Sequence, residues 1–141
     1  MSVNLKNPIQ AAATENIFSY NNSSRLDASF LSSSYGSNYK LVINMFQAFL
    51  DSNESEVPRL KVAIHNVDYP SIKSITHKIK NNFYYVGLGR TSKLLAEIEK
   101  KALLHSEDVV GLYDEFYEDY DTFMEAVSLE KTRLINYLNS K

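Results

Sequence analysis

Apolar residues recur at helical spacing along most of this chain. Between Asn38 and Leu50 one stripe follows the i, i+3, i+4, i+7 pattern of an amphipathic helix, formed by Val42, Met45, Phe46 and Phe49. A polar break at residues 51–53 separates it from a second predicted helix over residues 54–67, with Val57, Leu60, Ile64 and Val67 on its apolar face. Pro58 is tolerable there because it would fall in the first turn.

Three further helices are predicted after residue 67. Asp68 is a candidate N-cap for the third, whose buried stripe contains Ile72, Ile75, Thr76, Ile79, Phe83 and Val86. Gly87 and Gly89 are expected to end it, since glycine accepts a left-handed C-cap conformation, and the fourth helix opens near Thr91. A fifth, long helix is predicted from Glu107 to Asn139, with the apolar seam Val109, Tyr113, Phe116, Tyr120, Phe123, Val127 and Leu134.

These patterns predict an all-α fold. No period-2 run has strand composition, and short connections between successive helices favour antiparallel neighbours. We therefore expect an up-and-down antiparallel four-helix bundle with an additional N-terminal helical segment. Residues 1–24, rich in Asn, Ser, Ala and Thr, are predicted to be a tail or capping segment over the main body, and residues 25–141 to form the bundle.

Composition excludes several classes of chemistry. The chain has 141 residues, which suits one domain, and no cysteine, which excludes a disulfide framework, a thiolate zinc site, an iron–sulfur cluster and a cysteine nucleophile. No His pair or His–Glu pair has metal-ligand spacing on one helix face, so no metal site is expected. No signal peptide is visible and no apolar run approaches the roughly 18 residues of a membrane span, which fits a soluble, cytoplasmic protein.

The net charge of −2 conceals an uneven distribution. Residues 71–101 contain seven Lys or Arg against two Glu, whereas residues 107–130 contain nine acidic residues and no Lys or Arg. The near-neutral total itself gives no sign of affinity for nucleic acid or membranes.

One histidine of the basic stretch stands among lysines. Helical arithmetic places His77 on the outer face of the third helix, about 140° from the apolar stripe, with Lys73 and Lys80 on neighbouring turns. A neutral imidazole is nucleophilic near neutral pH, and nearby ammonium groups would stabilise negative charge placed on it. By itself this arrangement is most often plain surface, and a structural or solvent role explains both His65 and His105.

The local sequence around His77 resembles the signature of histidine-containing phosphotransfer (HPt) domains. That signature has a His, a Lys three residues later, a small residue next and a Gly ten residues after the His; His77, Lys80 and Gly87 match it. The resemblance extends to residues 26–31, similar to the opening of the domain, and to residues 98–99, which stand where the family has a Leu-Glu pair. Asn81 departs from it, because the family usually has Gly there, and Tyr84 is larger than the residues common at its position.

The resemblance implies a phosphorelay carrier rather than an enzyme. His77 would accept a phosphoryl group on Nε2 from a receiver-domain aspartyl phosphate and pass it to another receiver. Lys80 would hold the phosphate oxygens, with Lys73 a second candidate inferred from helical position alone. The residues expected at the docking surface are Asn81, Tyr84, Lys78 and Gly87. The chain would need no cofactor or metal of its own, since magnesium is expected on the receiver.

The expected partners are response-regulator receiver domains and a hybrid sensor kinase. The basic stretch suits the acidic, magnesium-binding pocket expected of a receiver. We expect a monomer with neither nucleic-acid binding nor membrane insertion. One rival interpretation, motivated by Asn81 and Tyr84, is an HPt-like helical docking module that binds receivers or kinases without transferring phosphate. A hydrolase finds no supporting motif, and the sequence leaves open whether the chain is free-standing or the end of a larger sensor kinase.

Overall fold

The computed structural model describes residues 26–140 of the chain. They form six α-helices and no strand: α1 (Ala28–Tyr35), α2 (Tyr39–His65), α3 (Tyr69–Tyr85), α4 (Gly89–Leu103), α5 (Asp108–Glu118) and α6 (Tyr120–Asn139). The predicted tail, residues 1–24, lies outside the described residues. The all-α fold with an additional N-terminal helix is confirmed, α1 being that helix.

The long helices form a four-membered ring in which α5 and α6 together make the fourth member. Helix α2 packs against α3, α3 against α4, α4 against α5, and α6 returns to α2. Phe83 of α3 lies at the centre, fully buried, with its ring edge-on to Phe49, Phe116 and Phe123 at centroid distances of 4.8, 5.6 and 6.4 Å. Aromatic side chains from α2, α3, α5 and α6 therefore meet in one core.

The predicted break at residues 51–53 is wrong, because α2 runs without interruption from Tyr39 to His65. The buried stripe passes through Asn53, which is fully buried, and connects Phe49 to Val57. A polar residue on the core side thus concealed the continuity of the apolar pattern. Pro58 consequently lies inside the helix rather than in a first turn; it sits on the exposed face, and its ring removes one backbone hydrogen bond there.

The predicted fifth helix is divided in two at Asp119. The seam is nevertheless continuous, since Val109, Phe116 and Val127 are fully buried and Phe123 N–H donates to the Asp119 carbonyl oxygen at 2.9 Å. The interruption separates α5, which packs mainly on α4, from α6, which packs mainly on α2. The turn at Asp119 therefore allows one continuous apolar seam to pack against α4 in its first part and against α2 in its second.

The connections on either side of α3 follow the predicted capping chemistry with one correction. The Asp68 carboxylate accepts from Ser71 N–H at 3.2 Å, and Pro70 lies in the first turn. Helix α3 ends at Tyr85, and Gly87 has a φ of +88°. Gly89, however, begins α4 instead of ending α3, because one left-handed residue already reverses the chain.

Helix α1 is fastened to the α3–α4 connection. Asp27 N–H donates to the Gly87 carbonyl oxygen at 2.8 Å, and Tyr35 Oη donates to the Tyr85 carbonyl oxygen at 2.8 Å. A Cβ added at Gly87 would lie 2.9 Å from Asp27 N, so only glycine allows this approach. Leu31 of α1 is buried in the main core.

Candidate functional site

His77 lies midway along α3 with its side chain 68% exposed. Its Nδ1 is 2.8 Å from the Oε2 atom of Glu99 on α4. A carboxylate only accepts hydrogen bonds, so this contact assigns the ring proton to Nδ1. In the neutral ring the lone pair is then on Nε2, the other nitrogen of an exposed imidazole.

Lys80 reaches the same carboxylate. Its Nζ is 2.6 Å from Glu99 Oε1, and its side chain is 24% exposed against 17% for Glu99. The two Glu99 oxygens are thus divided between the imidazole and the ammonium group. Burial acts to raise the pKa of Glu99, but the hydrogen bonds and positive charges of Lys80 and His77 outweigh burial and hold that pKa below its ordinary value.

The packing of α3 against α4 explains why these three side chains meet. His77 and Lys80 are three residues apart and therefore share one side of α3. Their neighbours Thr76 and Ile79 are buried, as is Ile98 next to Glu99, so both backbones are anchored in the core where the polar side chains emerge. The geometry of the cluster is set by buried contacts directly beneath it.

The other predicted residues on this side of α3 are exposed. Lys73 lies one turn before His77 and Asn81 one turn after it. Tyr84 lies two turns after His77, is 48% exposed, and packs edge-on against Phe30 of α1 at 4.8 Å between ring centroids. The helix thus presents a row of Lys73, His77, Asn81 and Tyr84 to solvent.

Lys78 and Gly87 are placed differently from that row. Lys78 Nζ lies 2.5 Å from Glu56 Oε2 on α2, and Arg59 Nη1 lies 2.6 Å from Glu56 Oε1. The ion pair from Lys78 lowers the pKa of Glu56, the largest effect being its hydrogen bond. Gly87 is buried directly after the end of α3, where it contacts Asp27 at the start of α1. The structure therefore joins Lys78 to α2 and gives Gly87 a position inside the fold.

The sequence did not identify Glu99 as a site residue. In the sequence, Glu99 is only the second residue of the pair 98–99 in the resemblance and one of two acidic residues in the basic stretch 71–101. Twenty-two positions separate it from His77, and only the register of α4 against α3 brings the two together. The spacing of residues within one helix cannot reveal a contact between two helices.

The cluster is an open surface. Within residues 26–140 no group of three His, Cys, Asp or Glu side chains has the arrangement of a metal site. Concave regions of about 390 and 990 Å³ occur elsewhere in this part of the chain, and His77 lines neither of them. An exposed nucleophilic nitrogen beside a fixed ammonium group suits a reaction partner that brings its own pocket.

Comparison with known proteins identifies a family model that matches the chain. The family model described as "Hpt domain" matches residues 44–128, more than half of the chain, and the range includes His77, Lys80 and Glu99. No curated protein matches the chain, and no solved structure matches it.

Proposed function

Because this chain belongs to the Hpt domain family, which implies histidine phosphotransfer in two-component signalling with receiver domains as partners, we propose that it is a phosphorelay carrier with His77 as its phosphoacceptor. Hpt domains are phosphocarriers rather than enzymes. The observation that carries the proposal is the contact of Glu99 with His77 Nδ1, which leaves the lone pair on Nε2 of an exposed ring.

The proposed step forms one bond and breaks one. The Nε2 lone pair attacks the phosphorus of a receiver aspartyl phosphate, the P–O bond to the aspartyl oxygen breaks, and its electron pair returns to the receiver carboxylate. The ring keeps its Nδ1 proton and becomes cationic, and Glu99 stabilises that charge through the existing hydrogen bond. Transfer to the next receiver reverses these changes, so no proton need enter or leave.

Lys80 is suited to hold the phosphoryl oxygens. Its ammonium group has three donors, of which one is used by Glu99, so it can bind a phosphoryl oxygen without leaving the carboxylate. Lys73, exposed one turn earlier, is the second candidate cation. Magnesium would be supplied by the receiver, consistent with a transfer that depends mainly on positioning and charge.

The surroundings of His77 bear on the choice of partner. Asn81 and Tyr84 are exposed on the same row and are proposed to contact the receiver, with Lys78 at the margin of the surface. None of the helices in the described range 26–140 is long and apolar enough to cross a membrane. We further propose that the protein acts in the cytoplasm as a monomer and that a hybrid sensor kinase supplies the phosphoryl group.

A transfer assay tests this proposal. The protein is incubated with a phosphorylated receiver domain, and we expect an acid-labile, alkali-stable label on the chain that His77→Gln abolishes. His65→Gln, an exposed substitution on α2, is the matched control and should label like the parent. Absence of label across several receivers that nevertheless bind the chain would favour the docking module without phosphotransfer. Label that persists in His77→Gln would refute the assignment of His77.

A further inference from the structure

A second group of charged side chains lies where α3 meets α2. The Glu56 side chain of α2 is only 8% exposed, and its two carboxylate oxygens accept from Lys78 of α3 at 2.5 Å and from Arg59 of α2 at 2.6 Å. On the α4 side, Glu99 contacts His77 in a similar way. A carboxylate from each neighbouring helix therefore fixes charged or polar side chains at one edge of α3.

The two cations of this group keep donors for a further acceptor. Lys78 and Arg59 are each 62% exposed, and within the described residues Glu56 is the carboxylate that each of them contacts. In residues 26–140 Arg59 donates to Glu56 through Nη1, which leaves the edge formed by Nε and Nη2 for bidentate contact with another carboxylate. Two positive charges against one negative charge leave an excess of one, which one further carboxylate would neutralise.

Buried contacts beneath the group hold it in place. Glu56 is followed by Val57 and Lys78 by Ile79, and both of these apolar side chains are buried in the core. The charge-assisted hydrogen bonds from both cations offset the cost of burying the Glu56 carboxylate. Because this carboxylate already orders the two cations, they lose less conformational freedom on binding a partner than two free side chains would.

The group lies within reach of a protein that docks on His77. Lys78 follows His77 directly in α3, and the axes of packed helices such as α2 and α3 are about 8–10 Å apart. A typical protein interface buries about 800 Å² on each partner, which corresponds to a patch of roughly 16 Å radius. A receiver centred on His77 therefore also covers Lys78 and the part of α2 that carries Arg59.

A groove beside Arg59 adds apolar surface next to the cations. It has a volume of about 390 Å³, lies between α2 and α3, and has Arg59, Val62, Ala63 and Ile75 among its lining residues. The aliphatic stem of a partner side chain that contacts Arg59 can pack against this surface. An excess of one positive charge is too small for stable binding of a nucleic acid, so a carboxylate on a protein is the better match.

We propose that Lys78 and Arg59 form a second contact site for the receiver domain and bind one of its carboxylate side chains outside the magnesium-binding pocket. This inference rests on the proposed function, since it takes a receiver as the partner of His77. Glu56 is then a positioning residue that orders the two cations. The site determines which receivers bind well, because a receiver with a basic side chain at that place meets like charge.

Receiver binding to variants that remove one charge tests the site. Arg59→Gln and Lys78→Gln should each raise the Kd of an unphosphorylated receiver about three- to fivefold at low salt, and the effect should shrink at about 0.5 M salt. Lys61→Gln is the matched control, since Lys61 is exposed on the same helix as Arg59 but lies over the Tyr117 ring of α5, away from α3. The same Kd for all three variants would overturn the proposal.

Transfer kinetics add a measurement that a merely structural role would not change. With a phosphorylated receiver, Lys78→Gln should raise the half-saturating receiver concentration by the same factor and leave the rate at saturation unchanged. Lys78→Arg keeps the charge and should behave like the parent. A lower rate at saturation for Lys78→Gln would overturn the proposal, because it would place Lys78 at the phosphoryl group.

Variants of the receiver identify the carboxylate. When its surface Asp and Glu residues are replaced by Asn or Gln one at a time, one replacement should weaken binding to the parent but have a smaller effect on binding to Arg59→Gln. Full additivity for every replacement would contradict a direct contact with Arg59.

The outcomes separate this inference from the proposed function. Receiver binding that depends on Arg59, without any label on His77, would refute phosphotransfer and support the second contact site. Normal labelling of His77 with unchanged Kd values for Arg59→Gln and Lys78→Gln would refute only the second contact site. A chain that binds no receiver would overturn both.

Discussion

Replacing Glu99 by Gln tests the central contact of the candidate site. The two side chains have nearly the same shape, but a carboxylate accepts at both oxygens whereas an amide accepts at one and donates at the other. In the parent, one oxygen accepts from His77 and the other from Lys80 at 2.8 and 2.6 Å. In the variant one of these donors must face an NH₂ group, so the cluster loses a hydrogen bond as well as its negative charge.

The size of the effect follows from the kind of hydrogen bond that is lost. A hydrogen bond to a charged group contributes about 1.5–3 kcal/mol, and the 68% exposure of His77 places this one at the lower end or below. A loss of about 1–2 kcal/mol in the transition state slows transfer roughly 5- to 30-fold. We expect this reduction in the rate from a phosphorylated receiver, measured in single-turnover rapid-quench experiments.

Two further measurements distinguish positioning from a general loss of structure. Nitrogen NMR of neutral His77 should show the proton on Nδ1 in the parent and a larger Nε2–H population in Glu99→Gln. Glu97→Gln, on the same helix and 3.9 Å from Lys101, is the matched control and should leave both the rate and the tautomer unchanged. A folded Glu99→Gln protein that transfers at the parental rate would contradict the role given to Glu99.

Three further predictions concern the neighbouring groups. Lys80→Ala should slow transfer about tenfold or more, because a charged hydrogen bond to the phosphoryl group is lost, with helicity and melting temperature nearly unchanged; equal rates would remove Lys80 from the site. Because the pKa of Glu99 is lower in the folded state, its ionised form stabilises the fold above about pH 4.5. This contribution is lost as the pH falls through the lower folded-state pKa. Acid unfolding followed by circular dichroism should therefore depend less on pH in Glu99→Gln than in the parent. Gly87→Ala should lower the free energy of unfolding by about 2 kcal/mol, because Gly87 has a left-handed φ and lies against Asp27. Gly111→Ala, at an exposed position of α5 with open space around it, should raise that free energy by about 0.5–1 kcal/mol. Urea titrations measure both changes, and the reverse order would contradict the role given to Gly87.

The helix content and the ring of packed helices were predictable because apolar side chains recur at helical spacing. The errors fell where a polar residue lies on the buried side or where a turn interrupts a regular seam. Asn53 is fully buried between Phe49 and Val57, and nothing in a polar-apolar pattern distinguishes it from a loop residue. Asp119 interrupts a seam whose spacing is otherwise regular, since the need for α5 and α6 to face different neighbours arises only in the assembled bundle.

The candidate site was predictable to the extent that it lies on one helix. His77 and Lys80 share a face of α3 by spacing alone, and the exposure of both His77 and Tyr84 follows from the same arithmetic. Glu99 required knowledge of how α4 sits against α3, and Lys78 required knowledge of what α2 presents to it. Side chains on adjacent positions of α3 therefore belong to different ion pairs, one with Glu99 and one with Glu56.

These pairings change the meaning of the charge asymmetry in the sequence. Residues 71–101 contain seven basic and two acidic residues, which suggested a strongly positive surface around His77. Lys78 is paired with Glu56 and Lys80 with Glu99, so the local field is weaker than the count indicates. The Lys80 ammonium group is held 2.6 Å from a partly buried carboxylate beside the imidazole. In the proposed transfer it would therefore lose fewer conformations on binding a phosphoryl group than a free lysine side chain would. Under the proposed function, exposed cations such as Lys73 would attract a receiver at long range, and the paired Lys80 would act at short range.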